Sequence, residues 1–130
     1  MTIKYRFEVD NDILRVTACG CDDNMEQVME YGKAVVDKAQ AMQCTRILCD
    51  EREMEYRLNT IDTYEYAKFI TEYCPHVGKA AVVCRPKYMQ IGEFWENVAV
   101  NRGLQVMVFD NMKEAEAWIS DDDDEDALIE

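Results

Sequence analysis

The side chains of this 130-residue chain that could do chemistry fall into four groups. The first group closes the expected strands: Asp50, Glu51 and Arg52, then Arg85 and Lys87, then Asp110 and Asn111. In open α/β sheets, ligands collect at the carboxyl ends of strands. Tyr56, Arg57 and Tyr88 stand in the adjoining loops. These residues could line a cleft of both charge signs that holds a small polar ligand or a partner loop. The alternative is an ion-paired rim, where each exposed pair contributes ~0–1 kcal/mol. The second group is the six cysteines, Cys19, Cys21, Cys44, Cys49, Cys74 and Cys84. Cys49 and Cys84 lie in apolar runs, where a thiol behaves as a small hydrophobe. Cys19-Gly20-Cys21 lacks the second pair or nearby histidines that zinc would need, so it reads as a strand end. The third is His76, the one histidine, in Cys74-Pro75-His76. A nucleophile needs its base within hydrogen-bond reach. Pro75 separates a helix end from a loop, so a surface histidine and a buried thiol are expected. The fourth is the acidic run Asp121 to Asp126, which lacks the glycine-centred spacing of a calcium loop and reads as a solvated tail.

No phosphate-cradling glycine loop, zinc-protease helix or serine elbow occurs. Asp50 and Glu51 could exchange protons, but nothing in the sequence places them on a substrate. Neither a cofactor nor a metal is expected. The formal net charge is −13, from 27 acids and 14 bases, and residues 120–130 hold seven of the acids and none of the bases. The excess charge therefore belongs largely to the end of the chain. A broad basic face for nucleic acid is excluded, as is attraction to an anionic membrane surface. No apolar run approaches the ~18 residues of a membrane span, so no membrane insertion is expected. Met1 to Arg6 shows no apolar signal segment. A cytoplasmic protein with reduced thiols is the expectation.

These residues need elements to position them. Ile3 to Val9 alternates, Asp10-Asn11-Asp12 has turn chemistry, and Ile13 to Ala18 is a second strand, giving an antiparallel hairpin. Met25, Val28, Met29, Gly32, Val35, Val36, Ala39 and Met42 form one helical stripe, with Asp23 and Glu26 as its capping pair. Arg46 to Asp50 is a short buried strand, followed by a charged stretch to Arg57. Asn59 or Thr60 caps a helix reaching about Tyr73, with Ile61, Tyr66, Ala67, Ile70 and Cys74 as its apolar positions. Lys79 to Cys84 is a buried strand. A third helix carries Ile91, Phe94, Trp95, Val98 and Ala99 and ends at Gly103. Leu104 to Phe109 is the last strand, and Asn111 caps a short helix with Met112, Ala115 and Ile119 inward. Of the off-stripe aromatics Tyr64 and Phe69, one is expected at the surface, marking an interface or a groove. The order ββαβαβαβα predicts a mostly parallel sheet with right-handed crossovers and one antiparallel edge.

Certain stretches within this order resemble the SpoIIAA-like fold of STAS domains and their relatives. They are Ile47-Leu48-Cys49-Asp50-Glu51-Arg52, Lys79-Ala80-Ala81-Val82-Val83, Phe94-Trp95-Glu96-Asn97-Val98-Ala99, Asn101 to Phe109, and Glu114-Ala115-Glu116-Ala117-Trp118-Ile119. The resemblance spans nearly all of residues 3–119. It implies a mixed, mostly parallel sheet of about five strands in near-sequential order with four helices, as one domain over 1–119 with an acidic tail at 120–130. It also implies one of two roles. Anti-sigma-factor antagonists bind a partner kinase and are phosphorylated on Ser/Thr at the start of the helix after the third strand. Here that place is Asn59-Thr60-Ile61-Asp62-Thr63, without the usual Asp-Ser-Ser/Thr-Gly signature, so Thr60 is the nearest hydroxyl and a plain cap is the competing reading. Other relatives suit apolar ligands or self-association. The first expectation is therefore a non-catalytic STAS-like regulatory module, a homodimer acting through protein or small-ligand contacts at Asp50, Glu51, Arg52, Tyr56, Arg57, Thr60, Arg85 and Tyr88. The second is a carrier of an apolar or lipid-like ligand between sheet and helices. The third is an enzyme using the strand-end acids and arginines. An internal apolar cavity would favour the carrier, and a deep polar cleft joining Asp50, Arg52 and Arg85 would favour the enzyme.

Overall fold

A computed structural model describes residues 2–74 and 78–121. His76 and the run from residue 122 onward lie outside the described residues. Five strands form one sheet in sequential order: β1 (Lys4–Asp10), β2 (Ile13–Cys21), β3 (Arg46–Glu55), β4 (Lys79–Val83) and β5 (Val106–Phe109). The β1–β2 pair is antiparallel and turns at Asn11, whose φ of 57° places it in the left-handed region that asparagine tolerates. The other three pairings are parallel.

Each step from β2 to β5 moves one strand in the same direction. Right-handed crossovers therefore place α1 (Met25–Ala41), α2 (Thr60–Tyr73) and α3 (Met89–Asn101) together on one face. A single turn of 3-10 helix (Pro86–Tyr88) leads into α3, and α4 (Met112–Ser120) packs on the opposite face against β3, β4 and β5.

Local chemistry sets the helix ends. Asn59 accepts from the Asp62 amide at 2.7 Å and Asn111 from the Glu114 amide at 3.0 Å, as side-chain caps do. At α1 the cap is Asn24, accepting from Gln27 at 3.1 Å, rather than Asp23. Gly103 follows α3 at φ 98°, the left-handed position that lets the Leu104 amide reach back to the Ala99 carbonyl at 3.0 Å.

Three further sequence expectations are corrected. β3 does not stop at Asp50 but continues to Glu55, because β2 also extends past Ala18 and offers Cys19, Gly20 and Cys21 as partners for Glu53, Met54 and Glu55. A register shift between Thr17 and Cys19 lets the two strands bend together there. Met42 falls on the α1 stripe yet is 46% exposed, since it lies beyond the helix end. Ile61, in the first turn of α2, is 72% exposed, while Thr63 of the same turn is the residue that faces inward.

On the α4 face, Ala81, Val83, Ala115 and Ile119 have no accessible surface. Cations seal that layer. Lys79 Nζ donates to the Trp118 carbonyl at 3.2 Å and the Asp121 carbonyl at 2.9 Å, and Arg46 donates to the Ile119 carbonyl at 3.1 Å. A helix C-terminus presents unpaired carbonyls and negative dipole charge, so both contacts are favourable. Arg15 grips Glu116 of α4 in a two-pronged pair at 2.6 and 2.9 Å.

Candidate functional site

The opposite face is built differently. β4 is a central strand covered on both sides, so both its faces should be dry. Ala81 and Val83 are, but Ala80 and Val82 keep accessible surface, which requires a space above them. That space is a cavity of about 130 Å³ between the sheet and α1, α2 and α3. Its walls are mostly apolar and include Val35, Val36, Ile47, Ile70, Ala80, Val82 and Val108. Two glycines let side chains of its wall pack against the helix backbones. A β-carbon on Gly32 of α1 would lie 2.6 Å from the Tyr66 hydroxyl, and one on Gly92 of α3 would lie 2.9 Å from Val108.

One end of the cavity is polar. Alternation along β3 sends Ile47, Cys49 and Glu51 to the helix face. There Tyr31 of α1 donates to one oxygen of Glu51 at 2.8 Å, and Tyr56, just past β3, donates to the other at 2.5 Å. Glu51 and Tyr56 retain some accessible surface, and both line the cavity. Burial raises the Glu51 carboxyl above its ordinary range, against the lowering effect of the two phenols, and nearby Asp22 and Asp50 raise it further. Burial first, then the Glu51 charge among other groups, lifts Tyr31, Tyr56 and Tyr66 well above the ordinary phenol value. Burial also raises the Cys49 thiol, which stands in the cavity wall.

Asp22 lies at the same end. It accepts from the backbone amides of Arg57 and Leu58 and so ties the β2–α1 loop to the β3–α2 loop. Burial pushes its carboxyl up to about 6, against those two bonds. Trp95 of α3 stacks on Tyr66 with ring centroids 6.4 Å apart, and its buried Nε1 has no hydrogen-bond partner among the described residues. No lysine, arginine or histidine is among the described residues lining the cavity.

The residues expected at the strand ends separate into three places. Glu51 and Tyr56 face the cavity, and Tyr88 packs on Tyr56 with ring centroids 5.0 Å apart. Asp50, Arg52 and Arg85 form a chain of contacts on the rim. Arg52 binds both oxygens of Asp50 at 2.9 Å, which lowers the Asp50 carboxyl, and Arg85 donates to the Arg52 carbonyl at 2.7 Å. Arg57 is exposed and pairs with Glu55 at 2.7 Å, and Thr60 is exposed at the first position of α2. Sequence reasoning missed Tyr31, Asp22 and the part of Trp95 in the wall. Tyr31 carried a signal, standing three residues after Val28 on the buried stripe of α1. Cys19 is exposed and Cys21 buried, and no cluster of three or more metal-ligating side chains occurs among the described residues. No helix of the described residues is long and apolar enough to cross a membrane.

No family model matches the chain, and no curated protein matches it. Solved structures do. An anti-sigma factor antagonist from Mycobacterium paratuberculosis superposes with a TM-score of 0.63 at 12% identity, covering 92% of this chain and 96% of that one. An uncharacterised protein of the DUF3478 family with a SpoIIAA-like fold, from Shewanella loihica PV-4, gives a TM-score of 0.55 at 16% identity, covering 91% of this chain and 94% of that one. The chain has a SpoIIAA-like fold.

Proposed function

We propose that this chain is a non-catalytic, STAS-like binding module that holds a small, largely apolar ligand between its sheet and helices α1–α3. The observation that supports this most directly is the cavity of about 130 Å³ with one polar end. Ligand sites are typically concave and apolar, with few polar groups that fix orientation. A core cavity of ~150 Å³ admits benzene, so a ring or short branched chain fits here and a whole acyl chain does not. Asp50, Arg52 and Arg85 contact one another on the rim and do not line the cavity, which speaks against the enzyme reading.

Native mass spectrometry of the protein purified from its own source tests the proposal. A species heavier than the bare chain by one small organic molecule, released on denaturation, is expected. A bare chain mass at every collision energy would contradict it.

A second reading places a protein contact at the start of α2. Ile61 is 72% exposed and Tyr64 40% exposed, three residues apart on one helix face beside Thr60. A protein partner there matches the regulatory role named for the anti-sigma factor antagonist. Homodimerisation and phosphorylation of Thr60 belong to this reading. Ile61→Asp should change the mass measured by light scattering if the surface joins two copies, and Thr60→Ala should abolish phosphate incorporation if Thr60 is the acceptor.

A further inference from the structure

We propose that the ligand of this cavity is a small apolar monoamine, bound as its ammonium ion against Glu51. This rests on the binding reading above and names the chemistry of the same site. Three observations converge on it.

Glu51 is a carboxylate at the end of an apolar cavity, and its two hydrogen bonds come from neutral phenols, Tyr31 and Tyr56. Each carboxylate oxygen has two acceptor positions, so one on each oxygen is open to a further donor. The lining is one-signed. It holds the acids Glu51 and Asp22 and, among the described residues, no cationic side chain. A buried charge is ordinarily paired, and an ammonium ligand supplies that pair together with the missing donors. The rest of the wall suits the carbon body of such a ligand, with Tyr66 and Trp95 stacked beside aliphatic side chains. Aromatic walls also favour ammonium groups over neutral ones. An anionic ligand would meet two acids and no base there. The volume limits the body to about six non-hydrogen atoms, the size of benzene.

The test is an NMR titration of the full chain with three probes of six non-hydrogen atoms each: cyclopentylamine, cyclopentanol and cyclopropanecarboxylate. Cyclopentylamine should bind at least ~10-fold more tightly than cyclopentanol, shifting resonances of residues around Glu51, and the carboxylate should not bind. In Glu51→Gln, which keeps the shape and an acceptor for the tyrosines, the preference for the amine over the alcohol should fall to about one. The wild-type comparison does not depend on that variant's folding. Equal binding of amine and alcohol by the wild type would overturn the amine assignment and leave the cavity reading standing. Binding by none of the three would overturn both. An amine preference that Glu51→Gln leaves intact would also overturn the assignment.

Discussion

On the α4 face of the sheet, Ala81 and Val83 of β4 and Ala115 and Ile119 of α4 are completely buried, whereas Ala80 and Val82 of β4 keep accessible surface on the other face. The polar groups differ in the same way. Lys79, Arg46 and Arg15 bind carbonyls and the Glu116 carboxylate around α4. Under α1–α3 the ionisable groups at the cavity are acids, phenols and thiols, among them Asp22, Glu51, Tyr31 and Tyr56. The first face has what a stable layer needs: dense packing and paired charge. The second departs from both requirements at one place. Departures of that kind concentrate where a protein works rather than where it is merely held together.

Substitutions can break this comparison. The largest effect is expected from Ile119→Ala on the closed face. It removes a fully buried side chain from a layer with no room to collapse and should cost ~2–5 kcal/mol in urea denaturation. A sharper contrast sets two adjacent valines against each other. Val83→Ala should cost about 2 kcal/mol, because its methyl groups pack against the α4 layer. Val82→Ala should cost less than ~1 kcal/mol, because part of its surface already borders a cavity. Equal costs would erase the difference between the faces.

Asp22 gives the cavity face a pH signature. Burial pushes its carboxyl up to about 6, above the ordinary 3.8 of the unfolded chain. The folded state therefore holds that proton more tightly. Its contribution is present below about pH 4 and is lost as pH rises through 6. Asp22 is partly exposed, so after discounting for solvent the loss is about 1 kcal/mol. Asp22→Asn should flatten stability between pH 4 and 6, measured by urea denaturation at each pH, while its carbonyl oxygen still accepts from the Arg57 and Leu58 amides. An unchanged slope would move the titration to another group.

The smallest stability change belongs to Gly32→Ala. Replacing glycine inside a helix gains up to ~1 kcal/mol. The new methyl pushes on the free ends of the Tyr66 and Ile70 side chains, which offsets that gain. Net stability should stay within ~1 kcal/mol, while cyclopentylamine binding weakens several-fold as the cavity loses volume. Unaltered binding would place the ligand elsewhere.

Much of the fold is legible in the sequence. Alternating elements predict a mostly parallel sheet, the SpoIIAA-like resemblance implies its near-sequential order, and Asn59, Asn111 and Gly103 mark helix ends by local chemistry. The end of β3 was not legible, because Glu51-Arg52-Glu53 has the composition of a loop. It becomes a strand only through pairing with β2, more than thirty residues away, across a register shift. The site was half legible for the same reason. Glu51 and Tyr56 stood out as strand-end groups, but an acid on an assumed loop gives no sign of facing inward. Asp22 acts through amides of a loop 35 residues on, a contact that no periodicity encodes. Met42 and Ile61 satisfied their stripes and still face solvent, because a stripe says which side of a helix is apolar and not how far the cover extends.

The difference between the faces is tested most directly by a crystal of the protein under xenon pressure, since xenon enters apolar cavities without needing a matched ligand. Anomalous density is expected among Val35, Ile70, Ala80 and Val82, beneath α1–α3, and none between the sheet and α4. Density on the α4 face, or no density on either face, would contradict it.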